Sequence, residues 1–223
     1  MSKIKIIYKN SDVAVIEKPA GVLSQRDANG EDGLVEILSS QLGATVYPVH
    51  RLDRKVGGVM VYALSKKAAA ALSAENAFTK TYLAVVSGVA DSFADTGEMQ
   101  DYLFKDGAKG KSFVVKSDRK GAKLARLAYE KLASTETEHG LLTLFKIQLF
   151  TGRTHQIRVQ FASRGLSLVG DGKYGSRIKS ESIALWSHRI ALNAPVNAET
   201  TVFTSFPSAQ PWFDLFDLEN KNN

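Results

Sequence analysis

The stretch His50-Arg51-Leu52-Asp53-Arg54-Lys55-Val56-Gly57-Gly58 constrains this chain more than any other. It sets one carboxylate among two arginines and a lysine, ends on a glycine pair, and runs straight into Val59-Met60-Val61-Tyr62-Ala63-Leu64. A continuous apolar run bounded by turn residues predicts a buried strand. Asp53 is then expected on a loop entering a sheet, where a rigid element holds it while solvent reaches it. Neighbouring cations favour an ionised carboxylate, the form that a nucleophile or a base needs. The same residues also suit a turn cap on a charged, solvated surface, and both readings fit the stretch taken alone.

A second stretch, Thr151-Gly152-Arg153-Thr154-His155-Gln156-Ile157-Arg158-Val159-Gln160, follows a strand-like run from Leu141 to Phe150. It reads as the opening of a helix with Thr151 or Thr154 near its start. Arg153, Thr154, His155, Gln156 and Arg158 crowd polar donors at that end, where anions are favoured. Ile157, Val159 and Phe161 supply apolar anchors. A phosphate or RNA-backbone site and an ordinary amphipathic helix fit this stretch equally well.

Further segments stand in order around these two: Lys18-Pro19-Ala20-Gly21, Lys80-Thr81-Tyr82, Val169-Gly170-Asp171-Gly172-Lys173-Tyr174-Gly175 and Leu185-Trp186-Ser187-His188. The ordered set, extending from about Ile4 to Pro207, resembles the RluA-type pseudouridine synthases, which modify ribosomal or transfer RNA. His50-Arg51-Leu52-Asp53 is similar to that family's catalytic motif, and Thr151 to Tyr174 to its third motif. This chain departs from the family at Val56-Gly57-Gly58, where Thr-Ser-Gly is usual, at Gln160, where His is usual, and at Leu166-Ser167, where His-Pro is common.

The resemblance implies an α+β pseudouridine synthase fold: a mixed, mainly antiparallel central sheet with flanking helices and a central active-site cleft. It implies one catalytic domain over residues 1–223, frayed from about Glu219, with no S4-like accessory domain ahead of it. The implied reaction isomerises a uridine within RNA, replacing its N1–C1′ bond by a C5–C1′ bond without metal or organic cofactor. Asp53 would attack C1′ or take the C2′ proton, Tyr82 would stack on the extruded base, and Arg158 would pair with Asp53, with Arg153 as the competing cation. His50, Arg51, Arg54, Lys80, Arg153, His155 and Gln156 are the implied substrate-binding residues. The alternative is a catalytically inactive RNA-binding or RNA-chaperone protein of the same fold.

Composition agrees with such a partner. The 223 residues carry 29 Lys+Arg against 23 Asp+Glu, a formal net charge of +6, which favours polyanions. The absence of cysteine excludes disulfides and thiolate metal sites, and the four histidines lack metal-ligand spacing. No secretory h-region and no membrane-length apolar run is present, so a cytoplasmic monomer acting on an rRNA or tRNA stem-loop, away from membranes, is expected.

Strands are predicted at Ile4–Tyr8, Val13–Glu17, Thr79–Ser87, Ile183–Leu192 and Thr200–Phe206, and helices at Leu34–Leu42 and Ser65–Phe78. Asp91 to Gly97 reads as a polar turn. Lys105 to Gly121, rich in lysine and glycine, reads as a mobile hairpin region centred on Phe113-Val114-Val115. Ala122 to Ala133 has helical composition, but the resemblance places a strand there and is followed. Pro211 to Phe216 reads as a short aromatic helix.

Overall fold

A computed structural model describes residues 3–88, 90, 93–194, 196, 201–207 and 212. In chain order the strands are β1 (Lys5–Lys9), β2 (Val13–Lys18), β3 (Tyr47–Pro48), β4 (Gly57–Ala63), β5 (Phe78–Ser87), β6 (Thr96–Asp106), β7 (Lys111–Val115), β8 (Lys123–Thr137), β9 (Gly140–Leu149), β10 (Ser167–Leu168), β11 (Leu185–Leu192) and β12 (Val202–Thr204). The helices are α1 (Leu34–Leu42), α2 (Lys66–Leu72) and α3 (Gln156–Ala162), with a 3-10 turn at Gly172–Tyr174. The described residues fall into two compact units, one within Met1–Lys80 and Trp186–Pro207, the other within Thr81–Leu185 together with Trp212.

In the first unit β2 pairs antiparallel with both β1 and β4, while β11 runs parallel to β4 and carries β12 antiparallel. The sheet is therefore mixed and mainly antiparallel. Every residue of β4 is buried, which is why its sequence is a continuous apolar run rather than an alternation. Helix α2 covers one face, packing Ala68 and Leu72 against Val59, Val61, Ile190 and Phe203. Its start is the expected one, since Ser65 Oγ accepts from the backbone N–H of Ala68. It ends at Leu72, short of the expected Phe78: Asn76 turns left-handed (φ 60°) in the connection that follows, and Phe78 already belongs to β5. Helix α1 spans the predicted residues. Glu36 accepts from the backbone N–H of Gly33 at its start, and left-handed Gly43 closes it.

In the second unit β9, β8, β6 and β7 form an antiparallel series, and β10 pairs with β5. Residues 123–137 are strand despite their helical composition, because Ala125 and Leu127 alternate inward at period two and tertiary pairing outweighs propensity. Phe93, Tyr129, Phe145 and Phe161 form an aromatic core with ring centroids 5.2–6.4 Å apart. The lysine-rich stretch is a hairpin, but Phe113-Val114-Val115 lie along β7 and the turn is at residues 107–110. Residues 91–92 and 219–223, and residues 211–216 apart from the buried Trp212, lie outside the described residues. Among the described residues no helix is long and apolar enough to cross a membrane.

The glycine pair has two different causes. Gly58 adopts φ +116°, and a Cβ there would meet the Ser187 carbonyl oxygen of β11 at 2.3 Å. Gly57 would place a Cβ 2.3 Å from Cζ3 of Trp186, so the indole fills the space that the usual serine would take. Restoring that serine, Gly57→Ser, is expected to destabilise the protein by roughly 1–3 kcal/mol, the cost of overpacking a filled core. Urea unfolding measures this, and an unchanged midpoint would show that Trp186 yields freely.

Candidate active site

Asp53 lies where the sequence places it, on the loop that enters β4, and is half-buried. Its backbone is fixed from both sides. The Ser24 hydroxyl donates to the Leu52 carbonyl and accepts from the Leu52 N–H, while Val56 N–H donates to the Asp53 carbonyl. Beneath the loop lies Lys18, fully buried, whose Nζ donates to the carbonyls of Pro19, Arg54 and Val56 at 3.0, 3.1 and 2.7 Å. An ammonium has three donors, and this one meets three acceptors. Burial pushes the Lys18 pKa down from its usual 10.5 to about 7, although the Asp53 charge pulls it the other way.

Arg54, expected to hold a phosphate, is engaged within its own loop. Its Nε donates to the Gly21 carbonyl, Gly21 N–H returns a bond to the Arg54 carbonyl, and the guanidinium forms an exposed ion pair with Glu31 at 2.8 Å. Arg51 is exposed. His50 accepts from the Val61 N–H through Nε2, so its proton belongs on Nδ1, which has no hydrogen-bond partner among the described residues. Burial, then the charge of Lys80, drives the His50 pKa well below its usual range, so the ring stays neutral. Lys80 lies 4.9 Å above the Phe78 ring, and burial lowers its pKa to about 8. These five residues, His50, Arg51, Asp53, Arg54 and Lys80, belong to the first unit.

Tyr82, Arg153, His155, Gln156 and Arg158 belong to the second. Tyr82 is buried on β5. Helix α3 is capped by neither expected threonine. His155 occupies the cap position with a left-handed backbone (φ 54°) and no side-chain cap bond. Thr151 instead accepts from the Arg126 N–H and donates to Gln156 Oε1. Gln156 is buried and spends its amide on the loop: Oε1 also accepts from the Arg153 N–H, and Nε2 donates to the Arg126 carbonyl. Arg153 is exposed and donates through Nε to the Leu124 carbonyl.

Arg158 is buried on the first turn of α3 and makes a bidentate ion pair with Asp171, Nε to Oδ2 at 2.6 Å and Nη2 to Oδ1 at 2.8 Å. The Tyr174 ring lies 5.1 Å from its Cζ. Sequence reasoning gave Asp171 and Tyr174 no role of their own. The signal was present: a buried arginine needs a fixed anion, and Asp171 is the single acid in the Val169–Gly175 segment.

Asp53 presents a carboxylate held through its backbone on the loop that enters a buried strand, and Arg158 a guanidinium held along its edge on a short helix. A family model described as RNA pseudouridylate synthase matches residues 12–163, a span holding Asp53, Tyr82 and Arg158. The chain belongs to that family, in its RluA-type branch. It is similar to the tRNA pseudouridine synthase C of Vibrio parahaemolyticus, with 31% identity over 210 residues, 86% of this chain and 82% of that protein. It is also 28% identical over 221 residues to the ribosomal large subunit pseudouridine synthase D of Borreliella burgdorferi, covering 92% of this chain and 65% of that protein. The solved structure of human RNA pseudouridylate synthase domain containing 1 shares the fold, with a TM-score of 0.76 at 22% identity over 92% of this chain and 83% of its own. The family is one of isomerases acting on RNA.

The buried lysine makes stability depend on pH. Because folding lowers the Lys18 pKa, the unfolded chain holds this proton more tightly between about pH 7 and 10.5. Stability from this group therefore rises with pH across that window, and its cost is fully present below pH 7. The stability advantage of wild type over Lys18→Met is expected to grow from about pH 7 to 9.5, by at most about 1.4 kcal/mol per pH unit. Urea titrations of both proteins measure it. A pH-independent difference would mean that Lys18 keeps its ordinary proton affinity.

Proposed function

We propose that this protein isomerises a uridine within a tRNA or rRNA stem-loop, with Asp53 as the reacting carboxylate, Tyr82 as the ring that receives the base, and Arg158 as the catalytic cation. The observation that carries the reading is the immobilised Asp53 loop. Ser24, Gly21 and Lys18 grip its backbone, so the carboxylate is held at the mouth of a rigid strand before any substrate arrives. Asp53 attacks C1′ of the ribose or removes the C2′ proton. The uracil detaches, turns, and reattaches through C5, after which the C5 proton is lost. Loss of that proton supplies the assay, release of tritium from RNA carrying C5-labelled uridine.

Asp53→Asn keeps the side chain's shape and removes the anion. Tritium release is expected to fall below about a hundredth of wild type while RNA binding persists. A variant retaining more would remove Asp53 from the chemistry, whereas a wild-type protein that releases no tritium would return the chain to the reading of an RNA-binding protein without isomerase activity.

The affinity for RNA belongs to cations that no carboxylate neutralises. Among the described residues Arg51, Arg153, Lys109, Lys111 and Lys173 have no ion-pair partner, whereas Arg54 is paired with Glu31. Each single-strand phosphate contact contributes about −0.7 to the slope of log affinity against log salt, so three to five contacts give roughly −2 to −3.5. Arg153→Ala should flatten that slope by about 0.7, and Arg54→Ala by clearly less, because Glu31 already holds its charge. Binding of the Asp53→Asn protein to two unrelated stem-loops across salt measures both. Equal flattening by the two substitutions would show that RNA displaces Glu31.

A further inference from the structure

Tyr174 joins three segments of the second unit at one hydroxyl. Its oxygen accepts from the Ser112 N–H at 2.8 Å, lies 3.2 Å from the Ser112 carbonyl, and is 2.9 Å from His155 Nδ1. Donating to the carbonyl, it accepts from the Ser112 N–H and from the Nδ1–H tautomer of His155, so all these contacts are satisfied together. Ser112 is buried on β7, and its own hydroxyl donates to the Thr154 carbonyl at 2.7 Å. The β6–β7 hairpin is thereby fastened to the residues immediately preceding α3.

The other end of the tyrosine faces the arginine. The 3-10 turn Gly172–Tyr174, with Tyr174 N–H bonded to the Asp171 carbonyl, brings the Asp171 carboxylate to the edge of Arg158 and the Tyr174 ring to its face. The same ring lies 4.8 Å from Lys111 Nζ, and Lys173 Nζ donates to the Gly110 carbonyl in the hairpin turn. Lys109 and Lys111 each lie 5.7 Å from the Phe113 ring. A basic hairpin and the buried arginine are thus connected through one side chain.

We propose that Tyr174 is a positioning residue for the isomerisation: its hydroxyl holds the basic hairpin and α3 in one register, so that an RNA backbone seated on Lys109 and Lys111 and the guanidinium of Arg158 are set against the substrate as one body. The proposal rests on the reading of Arg158 as the catalytic cation. Tyr174→Phe keeps the ring against Arg158 and Lys111 but removes the hydroxyl. At saturating stem-loop RNA its single-turnover rate of tritium release is expected to fall at least about tenfold while the RNA dissociation constant changes less than about threefold, the signature of positioning lost rather than binding lost.

A double-mutant cycle separates this from general damage. Lys109→Ala/Lys111→Ala should lower the single-turnover rate in the wild-type background and lower it no further in the Tyr174→Phe background. Ser112→Ala, which removes the Thr154 tie and keeps Tyr174, should show a smaller loss of the same kind, and it serves if Tyr174→Phe proves unstable in thermal melts. An unchanged Tyr174→Phe rate, or additive losses in the cycle, overturns the proposal provided that Arg158→Lys is inactive in the same assay. An Arg158→Lys protein with full activity would instead remove the functional reading on which the proposal stands.

Discussion

A single buried ammonium organises the part of the chain that carries Asp53. Lys18 ends β2, and its three donors reach the carbonyls of Pro19, Arg54 and Val56. The Arg54 carbonyl is shared with the Gly21 N–H, and an inward-turned carbonyl left with no donor costs about 1–3 kcal/mol. The ammonium in turn tolerates burial because those carbonyls and the Asp53 charge surround it. Sheet, loop and carboxylate therefore depend on one another: β2 delivers Lys18, Lys18 folds the loop, and the loop enters β4 with Asp53 at its bend. The depressed pKa of Lys18 is the cost of this arrangement.

The second unit solves the converse problem. Arg158 is a buried cation that must keep a fixed orientation, and its partner is an acid on the 3-10 turn rather than a set of carbonyls. Side-chain exposure in the pair is 6% and 1%, so screening by water is slight and desolvation consumes much of the Coulombic attraction. What survives is direction. A bidentate carboxylate fixes the plane of the guanidinium, and the Tyr174 ring limits its tilt. Such a pair adds little to stability and much to geometry, which is what a reacting site requires.

Much of this was legible from sequence, for physical reasons that differ by element. β4 was readable because full burial imposes a continuous apolar run, and α1 because its leucines and flanking glycines agree on both ends. β8 was readable only through the family resemblance, since its alanines, lysines and arginines favour a helix until Ala125 and Leu127 find partners across the sheet. The length of α2 was misjudged because alanine content speaks for a helix but says nothing about where Asn76 must turn. Among the candidate residues, the position of Asp53 on its loop was legible. The engagement of Arg54 with Glu31, of Gln156 with Arg126 and its own loop, and of Arg158 with Asp171 was not read, because residue type in a motif shows which groups can pair while the fold decides which of them do.

These engagements divide the charged residues by task. Arginines and glutamines that look like substrate ligands on a linear motif are partly consumed in holding the motif itself, as Arg54 holds the Asp53 loop through Gly21 and Gln156 holds the Thr151–Arg153 loop. A cation already bonded to backbone and carboxylate gains little by meeting a phosphate, since it must first give up what it has. Exposed cations such as Arg51 and Lys109, with no carboxylate to lose among the described residues, release counterions at no such cost. Affinity for RNA is therefore expected chiefly from the outer cations and rate chiefly from the inner, pre-bonded ones, with Lys109 and Lys111 serving both because the Tyr174 hydroxyl ties their hairpin to α3. In the proposed isomerisation a base detaches, turns and reattaches, and side chains pre-bonded within the protein are suited to hold the reacting groups still while it does so.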